Sequence, residues 1–141
     1  MRTMMAICSA LMVSVMLLAG CTSSTQSALG TDESQVRMRS IQSRAFDTRD
    51  KNVTLRTAIA TLQDLGFVID KADDVLGTVS ATKMSGYTVR MTVTVRPRGE
   101  TQMLVRANAQ YNLKSIEDPE PYQQFFAAFE KAMFLTAQQV D

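Results

Sequence analysis

The clearest pattern along the chain is a strict alternation of apolar and polar positions over residues 87–96, followed by a second strand pattern over residues 101–111. A period of two is typical of a β-strand with one buried and one solvated face. A turn at residues 97–100 separates two such strands, which predicts a long antiparallel hairpin. The positions expected to point inward are Tyr87, Val89, Met91, Val93 and Val95 in the first strand and Met103, Val105, Ala107, Ala109 and Tyr111 in the second.

Two other segments follow the helical period instead. The first helix is predicted over residues 50–65, with Gly66 at the position of a left-handed C-cap. The second is predicted over residues 119–138, with Asp118 as N-cap and Pro119 at the first helical position. Their apolar stripes consist of Val53, Leu55, Ala58, Ile59, Leu62 and Leu65, and of Tyr122, Phe125, Phe126, Phe129, Met133 and Ala137.

Shorter apolar runs predict strands at residues 40–46, 67–70 and 76–84, the first of which residues 36–39 can extend. The predicted order is therefore β-α-β-β-β-β-α. Such an order favours a two-layer α+β sandwich, with both helices on one face of an antiparallel sheet. A single domain is expected over residues 37–141. The small and polar residues before it predict a flexible tether over residues 21–36.

The first residues have the layout of a signal peptide. Arg2 provides a charged start, and an apolar stretch follows over residues 4–18. This stretch is shorter than the ~20 apolar residues that a membrane-spanning helix needs.

The end of this segment, Leu18-Ala19-Gly20-Cys21, resembles the bacterial lipobox. The resemblance implies removal of residues 1–20 and acylation of the Cys21 thiol, which anchors the protein to a membrane. In Gram-negative lipoproteins an Asp after the Cys favours retention in the inner membrane. Thr22 at that position therefore implies the outer membrane, at its periplasmic face. The alternative is an ordinary secretory signal in which the Cys occurs by chance.

Processing would change the chemistry of the chain. The full sequence has 15 Lys and Arg against 14 Asp and Glu, and loss of Arg2 would leave 14 of each. A neutral protein lacks the basic excess that drives nucleic-acid binding, so no nucleic-acid partner is expected. The chain has no His, which excludes imidazole chemistry. Because Cys8 would be removed and Cys21 would be lipidated, thiolate chemistry is also excluded from the folded part. We therefore expect no enzyme activity, no cofactor and no metal.

A family resemblance appears between residues 55 and 83. A helix ending in Leu65-Gly66-Phe67, a strand, and a second strand opened by Gly77-Thr78-Val79 resemble a group of small bacterial lipoproteins of unassigned function. The aromatic helix at residues 121–135 is also similar to theirs. The layout is similar to the helix-grip domains of the BamC lipoproteins of the outer-membrane β-barrel assembly complex. The resemblance implies a helix-grip-like fold in an outer-membrane lipoprotein.

Two candidate sites follow from these elements. The outward face of the hairpin can form a docking surface for an acidic protein patch or a lipid headgroup, or it can be a solvated face, and Lys83 can join it. The residues of this possible docking face are Arg90, Arg96, Arg106, Thr88 and Thr92. The aromatic helix can line an apolar groove or belong to the core, and Phe134 is the aromatic residue expected to be exposed. The residues of this possible groove are Phe125, Phe126, Phe129 and Phe134.

These features together predict a non-catalytic outer-membrane lipoprotein, held by acyl chains, whose periplasmic domain docks on an envelope transport or assembly complex. The alternative is a periplasmic lipoprotein that binds or senses a lipid or another apolar ligand.

Overall fold

The computed structural model describes residues 25–138, with side chains from residue 34 on, so the predicted signal peptide, the lipobox and Cys21 lie outside the described residues. The chain divides into two units, residues 1–35 and residues 36–141, and every strand described here belongs to the second unit. The elements are α1 (Thr25–Gln42), β1 (Ser43–Phe46), α2 (Lys51–Asp64), β2 (Val68–Asp73), β3 (Thr78–Met84), β4 (Thr88–Arg98), β5 (Gln102–Tyr111), β6 (Lys114–Ser115) and α3 (Glu120–Gln138).

The sheet is antiparallel throughout, with the strand order β1-β5-β4-β3-β2, and β6 also pairs with β5. The predicted hairpin forms its centre, with β4 and β5 in register from Val89 opposite Tyr111 to Arg98 opposite Gln102. The α+β class and the antiparallel sheet are therefore confirmed. The two-residue strand β6 was not predicted from the sequence, because so short a strand leaves no periodic pattern.

The core lies between the inner face of the sheet and helices α2 and α3. Ala107 and Ala109 are fully buried in β5, and their small side chains leave room for the aromatic stripe of α3. Phe129 stacks on Phe125 at 5.7 Å between ring centroids and meets Phe46 of β1 edge-on at 4.9 Å. Such aromatic contacts add to the free energy gained from burying the rings. The helix with the strongest apolar stripe is thus the element that closes the core.

Residues at the two ends of helix α2 provide hydrogen bonds for its terminal backbone groups. The Asp50 carboxylate accepts a hydrogen bond from the backbone N–H of Val53 at 2.8 Å, as an N-cap does. At the other end Gly66 adopts a φ of +83°, and the N–H of Phe67 donates to the carbonyl of Leu62 at 2.9 Å. This is the Schellman arrangement that lets the chain leave the helix and enter β2 at once.

The structure differs from the sequence-based expectation before β1. Residues 25–42 form one helix, where a flexible tether and the beginning of a strand were predicted. Met38 and Ile41, three residues apart, pack against the core, and Gln42 is buried. Packing of one helical face supplies most of the stability of such a helix, which explains why it overrides the weak strand pattern. The strand begins only at Ser43.

Candidate functional site

The outer face of the β4–β5 hairpin forms an open cleft of about 590 Å³. Helices α2 and α3 both pack on the opposite face, so this face is left to polar side chains. The register places Thr94 opposite Arg106 and Arg96 opposite Leu104 across the hairpin. We call this surface the polar cleft, and its lining residues are Thr92, Thr94, Arg96, Leu104, Arg106, Asn108 and Gln110.

Two guanidinium groups dominate the charge of the polar cleft. Arg96 and Arg106 are diagonal neighbours across β4 and β5, a relation that places Cα atoms about 7–8 Å apart. Arg106 Nη2 donates a hydrogen bond to Gln42 Oε1 at 3.3 Å, which helps to hold its long side chain. Among the residues that the structure describes, no carboxylate lies within 4.0 Å of either guanidinium. The pair can therefore accept an anionic group from outside the chain.

The cleft also holds one unsatisfied polar atom. Asn108 Oδ1 is buried and has no hydrogen-bond partner among the described residues. A buried acceptor without a donor costs about 1–3 kcal/mol.

The predicted docking residues do not all belong to this cleft. Arg90 Nε lies 3.9 Å from Asp70 Oδ2, and the same oxygen accepts a hydrogen bond from Thr82 Oγ1 at 2.6 Å. Thr88 is exposed at the beginning of β4. The structure therefore brings Thr92, Arg96 and Arg106 together and leaves Arg90 and Thr88 beside them.

The expectation that Lys83 joins the outer face is wrong. Lys83 lies opposite Val89, on the same face of β3 as the buried Val79 and Ala81, because side chains alternate with a period of two. Its ammonium group donates to the carbonyl of Leu65 at 2.8 Å, at the C-terminal end of α2. A positive charge there complements the helix dipole.

The four candidate phenylalanines do not share a groove. Phe125, Phe126 and Phe129 are completely buried in the core, whereas Phe134 is 64% exposed. The alternative assignment of the stripe to the core fits these positions, and the expected exposure of Phe134 is confirmed.

A smaller apolar pocket of about 160 Å³ lies elsewhere, where the C-terminal end of α2 and the first turn of α3 meet one end of the sheet. We call it the end pocket. It is lined by Leu65, Phe67, Lys83, Ser85, Tyr87, Val89, Met91, Pro121 and Gln124. Sequence reasoning missed this site because its lining residues come from separate segments, and no local pattern marks them as neighbours.

Tyrosine side chains extend the apolar surface beside the end pocket. The rings of Tyr87 and Tyr111 meet edge-on at 5.5 Å, and the two residues are 60% and 45% exposed. Both were expected to point into the core, but they lie at the end of the hairpin, beyond the residues that the helices bury. Asn112, with a φ of 54°, then turns the chain and leaves Leu113 94% exposed. Exposed apolar groups in contact with each other are typical of binding sites.

Within residues 25–138, no helix is both long enough and apolar enough to cross a bilayer. The same residues contain no group of three or more Asp, Glu or Cys side chains placed to hold a metal ion.

Comparison with known proteins finds no matching family model and no matching curated protein. The function must therefore be inferred from the geometry of the polar cleft and the end pocket.

Proposed function

We propose that this protein is a non-catalytic outer-membrane lipoprotein whose folded domain docks an acidic polypeptide segment of an envelope transport or assembly complex in the polar cleft. The observation that carries the proposal is the pair Arg96 and Arg106. Both guanidinium groups stand in one concave surface, without a carboxylate partner among the described residues.

The chemistry of the cleft favours a polypeptide over a single headgroup. Arginine presents a planar set of donors that binds carboxylates in pairs of hydrogen bonds. Beside the two arginines, Thr94 and Asn108 offer a hydroxyl and an amide group suited to the polar backbone of an extended segment, while the Thr92 hydroxyl lies 3.1 Å from Ser80 Oγ. The volume of about 590 Å³ lies in the range of ~300–1,000 Å³ that is usual for binding pockets.

The proposed location rests on the N-terminal sequence. Acylation of Cys21 would hold the protein at a membrane, and Thr22 favours the outer membrane through the lipoprotein resemblance. A shared membrane surface would raise the effective concentration of a partner that is anchored to the same membrane. A weak contact in the cleft would then be sufficient for docking.

The experiment is a titration of the full-length, detergent-solubilised protein with a synthetic peptide of alternating Glu and Gly, followed by backbone amide NMR. We expect saturable shifts at residues 92–96 and 104–108. The double substitution Arg96→Gln and Arg106→Gln should weaken binding about tenfold or more, or ~1.4 kcal/mol. Glutamine keeps a donor for Gln42, so the fold should remain.

The matched control is the double substitution Arg49→Gln and Arg56→Gln, which removes the same charge from two exposed positions outside the cleft. This control should bind the peptide like the unchanged protein. Equal weakening by both pairs would show a general charge effect and would contradict the proposal. If anionic lipid vesicles shift the cleft resonances and the peptide does not, the ligand of the cleft is a lipid headgroup and the polypeptide proposal is wrong.

A second candidate function, binding of an apolar ligand, is favoured by one specific observation. The end pocket lies between the helices and the sheet and is walled by Leu65, Phe67 and Met91. An apolar ligand would therefore bind in the end pocket and not in the groove predicted on the aromatic helix.

A further inference from the structure

The size of the end pocket suits one aromatic ring. Its volume is about 160 Å³, and Met91, which lines it, is almost completely buried. An engineered apolar protein cavity of ~150 Å³ binds benzene. Leu65, Phe67 and Val89 add aliphatic and aromatic surface of the kind that such a ring contacts.

The pocket wall also contains a cation. The Lys83 ammonium group has three donor protons, of which one binds the carbonyl of Leu65. Its nitrogen lies 5.7 Å from the centroid of the Phe67 ring, so it stands against apolar surface. No carboxylate of the described residues lies within 4.0 Å of it.

The helix end does not neutralise this charge fully. The C-terminus of a helix is equivalent to about half a negative charge, against the full positive charge of an ammonium group. A half-buried cation with spare donors favours a ligand that brings an anion. Ser85 and Gln124 add polar atoms to the same wall.

We propose that the end pocket binds an aromatic ring that carries a carboxylate, with the ring against Met91 and the carboxylate on Lys83. Two sources share this chemistry: a free aromatic acid and the C-terminal aromatic residue of a polypeptide. This inference rests on the second candidate function and is independent of docking in the polar cleft.

The test uses 3-phenylpropionate as probe and the full-length protein labelled on its methionine methyl groups. The Met91 methyl resonance should shift saturably on titration, whereas that of Met103, which is buried in the core and does not line the pocket, should not. The neutral probe 3-phenylpropionamide should bind about tenfold more weakly or worse. Absence of a saturable Met91 shift, or equal affinity for acid and amide, would overturn the proposal.

Three variants separate the contributions of charge and space. Lys83→Met should weaken binding of the acid about tenfold but leave the affinity for the amide unchanged. Lys83→Arg should keep the preference for the acid, since it keeps the charge. Val89→Phe places a ring in the pocket and should abolish binding of both probes. Because this variant keeps Lys83, it tests the site even if Lys83→Met disturbs the end of α2. Binding of the acid by the filled variant at full affinity would contradict the proposed site.

The two sources are distinguished by a peptide with a C-terminal Phe and its amidated form. Tighter binding of the free-acid peptide than of 3-phenylpropionate supports a chain terminus as ligand, and the reverse order supports a free acid. The substitutions Arg96→Gln and Arg106→Gln should leave the affinities of the end pocket for the acid and the peptide unchanged. The proposals for the end pocket and for the polar cleft can therefore fail independently.

Discussion

Tyr122 shows at the scale of one residue how a buried polar atom joins separate parts of the fold. Its hydroxyl donates to the carbonyl of Ile116 at 2.7 Å and accepts from the N–H of Ala109 at 3.2 Å. The side-chain amide of Gln42 lies 3.4 Å from the same oxygen. One hydroxyl therefore connects α3 with β5, with the segment after β6 and with the end of α1. The helical period predicted that the ring is buried, but not these partners.

We expect Tyr122→Phe to lower the free energy of unfolding by about 1–3 kcal/mol, because it keeps the ring but leaves buried backbone groups without a partner. Urea unfolding followed by circular dichroism measures the loss. The matched control is Tyr87→Phe, which removes the same hydroxyl from an exposed side chain and should change stability by less than about 0.5 kcal/mol. Equal effects of the two substitutions would contradict the role given to Tyr122.

At the scale of elements, α2 and β1 differ in what holds them. Helix α2 carries its own N-cap, and its buried Thr54, Thr57 and Thr61 bond to carbonyls one turn back in the chain. The short edge strand β1 depends on partners far along the sequence. Its Arg44 forms an ion pair with Glu130 of α3 and lies over the Phe126 ring, 4.9 Å from the centroid. Helix α2 was therefore predicted well from local pattern, whereas β1 was predicted with its beginning three residues too early.

We expect Asp50→Ala to destabilise the protein by about 1 kcal/mol, since it removes the side chain that caps the first turn of α2. The same change at Asp64, the last residue of α2, should be neutral or slightly stabilising, because a negative charge is unfavourable at the C-terminal end of a helix. Thermal and urea unfolding of the two variants measure the difference. Destabilisation of the same size in both would refute the capping argument.

At the scale of the whole molecule, the net charge is close to zero, but positive charge is concentrated on one surface. The chain has 15 basic and 14 acidic side chains, a net charge of +1. The outer face of the hairpin nevertheless holds Arg96 and Arg106 without carboxylates beside them among the described residues. Local charge of this kind steers and orients an acidic partner even when the protein as a whole is almost neutral.

The proposed membrane anchor is tested by Cys21→Ser. In cells fed labelled palmitate, the unchanged protein should incorporate the label and fractionate with the outer membrane, whereas Cys21→Ser should do neither, because serine cannot form the thioether. Cys8→Ser is the matched control, since it changes a cysteine outside the lipobox, and it should be labelled normally. Label in the Cys21→Ser variant, or none in the unchanged protein, would overturn the assignment of Cys21.

The sequence by itself determined the α+β class, the β4–β5 hairpin and the two core helices. Those features follow from the spacing of apolar residues within one segment, which is a local property. It also identified Phe134 as an exposed aromatic, since that residue lies off the main stripe of α3.

The alternation placed Arg96, Arg106 and Thr92 on one face, but only the tertiary structure decided which of the predicted side chains share a site and which do not. The register of β4 on β5 makes Arg96 and Arg106 neighbours, while Asp70 on β2 pairs with Arg90. The alternation of β3 turns Lys83 inward, onto the end of α2. The polar cleft lies within one hairpin and depends on its strand register. The end pocket joins residues that are distant along the chain, and such contacts depend on helix packing, which no single segment encodes.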